Sequence, residues 1–166
     1  METKKILLVD DDIDIITMLE AILKKENYTV ITANNKEDGL KLLRAEKPDL
    51  AILDVMMTTH YEGFEMGEAI RKDPEFKTTP ILMSTSIDIL TTTKRDVQAM
   101  AIEFRKNPGF KELHVLLIKD IYSGKAGIDY LTEAGRSVWI DVDGFVSKPV
   151  DAKKIVPEIK RILSQK

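Results

Sequence analysis

The sequence predicts an α/β fold, a doubly wound parallel sheet with helices on both faces, and three observations carry that prediction. Apolar runs alternate with amphipathic segments in the order strand, helix, strand, helix, which is the signature of right-handed crossovers. Two of the runs, Ile6 to Val9 and Leu50 to Leu53, are uninterrupted, as strands buried on both faces are. Both end in carboxylates: Asp10, Asp11 and Asp12 after the first, Asp54 after the second. Open α/β sheets hold their ligand sites along the edge formed by the carboxyl ends of the strands. If the two strands are parallel neighbours, three or four acids crowd together there. Such a cluster repels itself unless a cation neutralises it, and all-oxygen ligation with open water positions is what Mg²⁺ prefers.

A chain of 166 residues has the length of one domain, enough to bury a real core and too little for two ordinary ones. Hydrophobic residues at 43% and charged residues at 32% are soluble-protein values, and no apolar run approaches a membrane span. The amino terminus, Met-Glu-Thr-Lys-Lys-Ile-Leu-Leu-Val-Asp, has too short an apolar stretch for a signal peptide. With no Cys, disulfides and thiolate metal sites are excluded, which suits a reducing cytoplasm. Twenty-five Lys and Arg against 28 Asp and Glu leave a net charge of −3 and no basic excess to hold nucleic acid. The expectation is a cytoplasmic protein with neither nucleic-acid binding nor membrane insertion.

In order, Lys5 to Val9 is the first strand, and Asp12 or Asp14 caps a helix with Ile16, Leu19, Ile22 and Leu23 on one stripe and Lys24-Lys25 at its carboxyl end. Tyr28 to Thr32 alternates and is β-branched, so it reads as a strand, followed by a helix from about Lys36 to Glu46. Pro48 ends that unit. The Asp54 strand follows, then a loop, Thr58 to Glu62, then a helix from about Gly63 to Lys72 that Asp73-Pro74 terminates. Pro80 to Ser84 is another buried strand, ending in the hydroxyls of Ser84, Thr85 and Ser86.

Beyond Asp88 a helix of about Thr93 to Lys106 leads into a fresh apolar run, His114 to Ile118. The two helix-strand joints resemble one another: Arg71-Lys72-Asp73-Pro74-Glu75-Phe76-Lys77 precedes Pro80-Ile81-Leu82-Met83, and Arg105-Lys106-Asn107-Pro108-Gly109-Phe110-Lys111 precedes His114-Val115-Leu116-Leu117. A tandem duplication of a unit about 34 residues long accounts for this. So does mere recurrence of basic residues and Pro at helix ends. Ser123 to Arg136, with Gly124, Gly127 and Gly135, reads as a long ordered loop. Val138 to Ile140 and Gly144 to Ser147 read as short strands, the latter closing in Lys148-Pro149. Asp151 caps a last amphipathic helix to about Leu163, in which Pro157 predicts a kink or a restart. No residues then remain for an output domain.

At the carboxyl ends of the strands stand Asp10, Asp11, Asp54, Thr85 and Lys148, and each residue type has a task in phosphoryl transfer to a carboxylate. Asp54 would be the nucleophile, Asp10 and Asp11 the holders of Mg²⁺, Thr85 and Lys148 the partners of the transferred oxygens. Taken singly, each has a plainer reading: Asp10 to Asp12 as a helix cap, Thr85 as a strand-end hydroxyl on backbone, Lys148 as a solvated cation. His60 reads as an exposed loop residue, His114 as structural, and Met56, Met57, Met66 and Met83 as core filler. Trp139 either anchors the long loop or faces a partner.

Taken together, Ile6-Leu7-Leu8-Val9-Asp10-Asp11-Asp12, Pro48 to Met57, Gly63-Phe64-Glu65, Pro80 to Thr85 and Gly144-Phe145-Val146-Ser147-Lys148-Pro149 resemble the receiver domain of bacterial two-component response regulators. The likeness covers nearly the whole chain except Asp88 to Asp141. It implies strand order 2-1-3-4-5 and a single receiver domain over residues 1–166, interrupted at about 88–141 by an extra helix-strand unit and a long loop. By that resemblance Asp54 accepts a phosphoryl group from a sensor histidine kinase or phosphotransfer protein, and Asp10, Asp11, Asp54 and the Met56 backbone carbonyl hold Mg²⁺. Thr85 and Phe145 form the switch, Lys148 pairs with the phosphate, and the bond after Lys148 is cis. The implied protein is a stand-alone signalling domain in a phosphorelay, not an enzyme beyond its own phosphorylation and dephosphorylation. Its downstream protein is unidentified, and a homodimer is among its admissible assemblies.

Three departures stand out: a lengthened turn, Thr58-Thr59-His60-Tyr61-Glu62, with no Pro after the Met pair; replacement of the segment that most receivers use for partners; and two strands competing for the fourth position. Strands lie about 4.8 Å apart, so Lys148 two strands from Asp54 must bridge roughly 10 Å, and an added strand would put it out of reach. The extra strand is therefore predicted at or beyond the sheet edge. The rival readings are a degenerate receiver that binds without phosphorylation, and a haloacid-dehalogenase-like phosphatase with Asp10 as nucleophile.

Overall fold

The computed structural model describes residues 3–57 and 61–165. In chain order the elements are β1 (Lys5–Val9), α1 (Ile13–Lys25), β2 (Thr29–Ala33), α2 (Lys36–Glu46), β3 (Leu50–Asp54), α3 (Glu62–Lys72) and β4 (Ile81–Thr85). There follow β5 (Ile89–Thr92), α4 (Val97–Arg105), β6 (Val115–Asp120), β7 (Ala126–Leu131), β8 (Ser137–Val142), β9 (Gly144–Ser147) and α5 (Ala152–Ser164).

The main sheet is parallel, in the order β2-β1-β3-β4-β9, so the predicted 2-1-3-4-5 arrangement holds with β9 as its fifth strand. The inner strands β1, β3 and β4 are buried on both faces, and successive side chains alternate between two cores. Ile6, Leu8, Ile52, Leu82 and Val146 meet Leu19 and Leu23 of α1 and Ile155, Ile159 and Ile162 of α5. Leu7, Val9, Leu53, Met83 and Phe145 face the other way, onto Leu43 of α2 and Phe64, Met66 and Ile70 of α3. Each fully buried aliphatic side chain contributes roughly 1.5–3 kcal/mol to that packing.

Local chemistry fixes the helix starts. Asp12 accepts the N–H groups of Asp14 and Ile15 at 2.9 and 3.3 Å, and Asp151 accepts that of Lys154 at 2.9 Å. No restart occurs at Pro157: α5 runs through it as one helix. The proline lies on the exposed side, where water can satisfy the carbonyl one turn earlier that loses its donor.

The segment between β4 and β9 departs most from expectation. It forms a second sheet, β5-β6-β7-β8, in which β5 and β6 are parallel and joined by α4, while β6, β7 and β8 are antiparallel. The extra strand is thus outside the main sheet. The stretch Ser123 to Arg136 is not a long loop: its middle is β7, with Ala126 and Ile128 turned into the shared core. The short strand read at Val138 to Ile140 is the longer β8, Ile89–Thr92 is a strand that local sequence did not reveal, and α4 starts at Val97 because Asp96 caps it. Trp139 does not anchor a long loop, because the stretch read as one holds β7. Its ring lies across β7, 2.0 Å from where a Cβ on Gly127 would stand. The second sheet packs on α3 and β4, and Val115, Leu117, Ile128, Ile140 and Val142 join the core that holds Phe145.

The backbone turns of the two joints match, shifted by the 34 positions that separate Arg71 from Arg105. Phe76 and Lys77 donate to the Asp73 carbonyl as Phe110 and Lys111 donate to that of Asn107, and Thr79 donates to Phe76 as Leu113 does to Phe110. The Asp73 side chain accepts the Glu75 N–H at 2.9 Å, and the Asn107 side chain accepts the Gly109 N–H at the same distance. Arg71 then bonds the Thr79 carbonyl and Arg105 the Leu113 carbonyl. Agreement at this level favours duplication over a chance recurrence of helix-stop residues.

Candidate functional site

Parallel pairing of β1 with β3, Val9 beside Leu53, brings Asp10 and Asp11 next to Asp54. One carboxylate oxygen from each of the three lies within 4.8 Å of the others. Asp10 and Asp54 are buried, 2% and 5% exposed, while Asp11 is open to solvent. Asp10 Oδ1 accepts the Asp12 N–H at 2.9 Å, and Asp54 Oδ1 accepts the Met56 N–H at 3.4 Å.

Lys148 follows β9, two strands from β3, and its Nζ reaches Asp54 Oδ2 at 3.1 Å and Asp10 Oδ2 at 3.5 Å. That reach is possible because β9 pairs directly with β4 and nothing intervenes. The Lys148-Pro149 bond is cis, as the sequence resemblance implied. Thr85 ends β4 between them, 1% exposed; its Oγ1 accepts the Ile87 N–H at 2.9 Å, which leaves the hydroxyl proton to donate. Ser84, in register with Asp54, carries a buried hydroxyl with no hydrogen-bond partner among the described residues.

Burial first, and repulsion from Asp10 second, push the Asp54 carboxyl up to about 6, against the opposing pull of Lys148. Burial likewise raises Asp10, partly offset by the Asp12 N–H and Lys148. The Lys148 ammonium loses solvent, but Asp54 and Asp10 outweigh that loss and hold its pKa above the ordinary value. One ammonium does not neutralise three carboxylates, two of them buried. The donor set is all oxygen and partly open to water, so these residues fit a hard divalent cation.

A stability prediction follows for the metal-free protein. Folding raises the Asp54 pKa from 3.8 to about 6, so the folded state holds a proton in that window which the unfolded chain has lost. This group's stabilising contribution is complete below the lower value and disappears as pH rises through the upper one. Thermal unfolding in a chelator is expected to give a higher Tm near pH 5 than near pH 7.5 from this source, with Asp54→Asn flattening that part of the profile.

Phe145 on β9 is 3% exposed and sits under the second sheet. Of the methionines read as core, Met57, Met66 and Met83 are buried, whereas Met56 is 39% exposed. His60, with Thr58 and Thr59, lies outside the described residues. His114, read as structural, is exposed; its ring stands 6.0 Å from that of Tyr61, which also meets Tyr130 edge-on at 5.1 Å. Tyr61 and Glu62 were not singled out from sequence. Tyr61 precedes α3 in the left-handed conformation, and Glu62 accepts the Lys36 N–H at 2.6 Å, tying the start of α2 to that of α3. Their position just after the Asp54 strand was the available signal.

The carboxyl edge of the second sheet is different. Asp120 ends β6 and is buried, but it accepts the Ser123 hydroxyl at 2.6 Å and the Tyr122 N–H at 2.9 Å, and the Ser123 hydroxyl bond chiefly holds its pKa down. It shapes a turn. Among the described residues the three aspartates are the one cluster with metal-ligand geometry.

The fold and the site together are a parallel α/β sheet with an acidic pocket at its carboxyl edge and a lysine aimed into it. The chain belongs to the response regulator receiver domain family, whose model matches residues 6–117. That match ends within β6, short of β9. The chain is 44% identical over 85 residues to the alkaline phosphatase synthesis transcriptional regulatory protein PhoP of Bacillus subtilis, covering 51% of the chain and 34% of the relative. It is 36% identical over 84 residues to protein PilH of Pseudomonas aeruginosa, covering 51% and 69%. The matched part thus spans about a third of the first of these relatives. Among solved structures, it is similar to the chemotaxis response regulator CheY4 of Vibrio cholerae, with TM-score 0.60 and 24% identity over 97% of this chain and 99% of that one. A CheY-like receiver domain protein from Methanospirillum hungatei gives TM-score 0.63 at 22% identity over 99% and 96%. No described helix is long and apolar enough to cross a membrane.

Proposed function

We propose that residues 1–166 act as one receiver-like unit, with an insertion at about 88–141, in which Asp54 accepts a phosphoryl group in a cytoplasmic two-component pathway. The observation that carries this is the buried Asp54 carboxylate, 3.1 Å from the Lys148 ammonium and within 4.8 Å of Asp10 and Asp11. The donor would be the phosphohistidine of a sensor histidine kinase or phosphotransfer protein. An Asp54 oxygen forms the new P–O bond as the P–N bond breaks, and the imidazole nitrogen keeps the electron pair. Asp10, Asp11, Asp54 and the Met56 backbone carbonyl would hold Mg²⁺, which when bound neutralises charge on the phosphoryl oxygens.

Lys148 pairs with a transferred oxygen in place of the Asp54 carboxylate it now meets. Thr85 donates its hydroxyl proton to another. The added charge, about −1.5 to −2 if it resembles a phosphate monoester, biases the two arrangements of Thr85 and Phe145. Two features support the second sheet as the surface that reads the change for a downstream protein: Phe145 is buried against it, and the Tyr61 ring, just before α3, meets those of His114 and Tyr130.

The test is incubation with acetyl phosphate and Mg²⁺, followed by mass spectrometry. Wild type is expected to gain one acid-labile phosphate on Asp54 and Asp54→Asn none. An unmodified wild type, or a modified Asn variant, rejects the reading.

A further inference from the structure

The second sheet ends in an open edge. Among the described residues β7 is the one strand bonded to β8, and the antiparallel geometry says which backbone groups face outward, because the N–H and C=O of a residue point to the same side. Arg71 Nε reaches the Asp141 carbonyl at 2.9 Å from the side away from β7, and the Asp143 N–H meets the Ile81 carbonyl at 2.8 Å on that same side. By the two-residue period Ser137 and Trp139 face outward as well. Asp141 and Asp143 are thus fastened to α3 and β4, while the outer half of β8 borders a cleft of about 720 Å³.

The cleft has a basic character. The carboxyl half of α3 and Lys77-Thr78 form one wall, and Trp139 with Gln98 of α4 the other. Four basic side chains, Arg71, Lys72, Lys77 and Arg136, line it against two carboxylates, Glu68 and Asp141. Both carboxylates are engaged within the protein: Asp141 accepts the Trp139 indole N–H at 3.0 Å, and Glu68 pairs with Lys72 at 3.3 Å. Arg71 is committed to Asp143 at 3.0 Å. Folded proteins ordinarily cover or charge such an edge against stray pairing, and the residues here favour an incoming strand of one sign.

We infer that the outer edge of β8 is a docking site for an extended, acidic segment of a partner protein, which adds beside β8 as a fifth strand of the second sheet. The backbone N–H and C=O groups of Ser137 and Trp139 provide the pairing, and Lys77 and Arg136 select acidic side chains. Pairing gives the affinity and charge the selectivity. The inference does not rest on phosphorylation of Asp54, and a protein without phosphoacceptor activity would still show it.

Trp139 is the single tryptophan of the chain, so its emission reports on the cleft directly. The probe is a ten-residue peptide alternating Glu with Val and Thr, compared with the same peptide N-methylated at alternate amides and with a Lys-for-Glu version. The acidic peptide is expected to give a saturable change in emission. N-methylation, and separately Ser137→Pro, which removes an outward N–H that β7 does not use, each weaken it about tenfold or more. Lys77→Glu with Arg136→Glu shifts the preference to the Lys peptide. In the free protein the Trp139 backbone amide is expected to exchange with deuterium faster than that of Val138, which faces β7, and the acidic peptide slows it.

Four results overturn the proposal: a Trp139 amide already protected in the free protein, no saturable change with the acidic peptide, equal binding of the N-methylated form, or occupation of the cleft by an oligonucleotide in preference to the peptide. Thermal unfolding of Ser137→Pro separates lost docking from lost fold.

Discussion

Gly63→Ala is expected to destabilise the protein by about 3 kcal/mol or more and to slow phosphoryl acceptance at Asp54. A Cβ at this position would stand 1.7 Å from the Asp54 carbonyl oxygen and 2.9 Å from the Val55 Cα. Both obstacles are backbone, so no rotamer change relieves them. The Gly63 N–H also bonds the Val55 carbonyl at 3.1 Å, which binds the first turn of α3 to the end of β3. Either α3 moves away, which costs stability, or the Asp54 backbone does, which also draws the carboxylate away from Lys148. Urea unfolding measures the first effect and the rate of acetyl phosphate labelling the second. A variant as stable and as reactive as wild type would mean that the turn relaxes without cost.

Arg105→Met is expected to cost about 3–5 kcal/mol, the penalty for leaving a buried charge without its partner. Asp129 is 5% exposed, and Arg105 is its ion-pair partner at 3.0 Å while also bonding the carbonyls of Phe110, Leu113 and Asp129 itself. A methionine of similar length fills the space but donates nothing. Adding Asp129→Asn should recover part of the loss, because an amide is far cheaper to bury than a carboxylate. Denaturant unfolding of both variants reads this. A loss below about 1 kcal/mol in the single variant would show that α4 is held to β7 by its apolar contacts alone.

The parts of the fold legible in the sequence are those whose determinants are local. β1, β3 and β4 are apolar runs buried on both faces, and Asp12 and Asp151 cap helices they immediately precede. The position of Lys148 followed from strand spacing, because only one arrangement of the competing strands lets a lysine stem reach Asp54. β7 was hidden for the opposite reason. Gly124, Gly127 and Gly135 look like a loop within any short window, yet Gly127 is a strand residue whose bareness is demanded by the Trp139 ring on the neighbouring strand. β5, Ile-Leu-Thr-Thr, is four residues long and gains its identity from pairing with β6. At the site the carboxylates and the lysine were readable. Tyr61 was not, since its meaning lies in contacts with His114 and Tyr130 far along the chain.

One core serves both sheets. Leu7, Leu53 and Met83 of the main sheet belong to the same buried cluster as Leu117, Ile128 and Ile140 of the second. With that shared core joining the insertion to its host, the two are expected to melt as a single cooperative unit. Cutting out β5 to β8 would strip Phe145 and Met83 of their cover, so the insertion is not a detachable appendage. Its loss would turn a folded signalling module into an aggregating one.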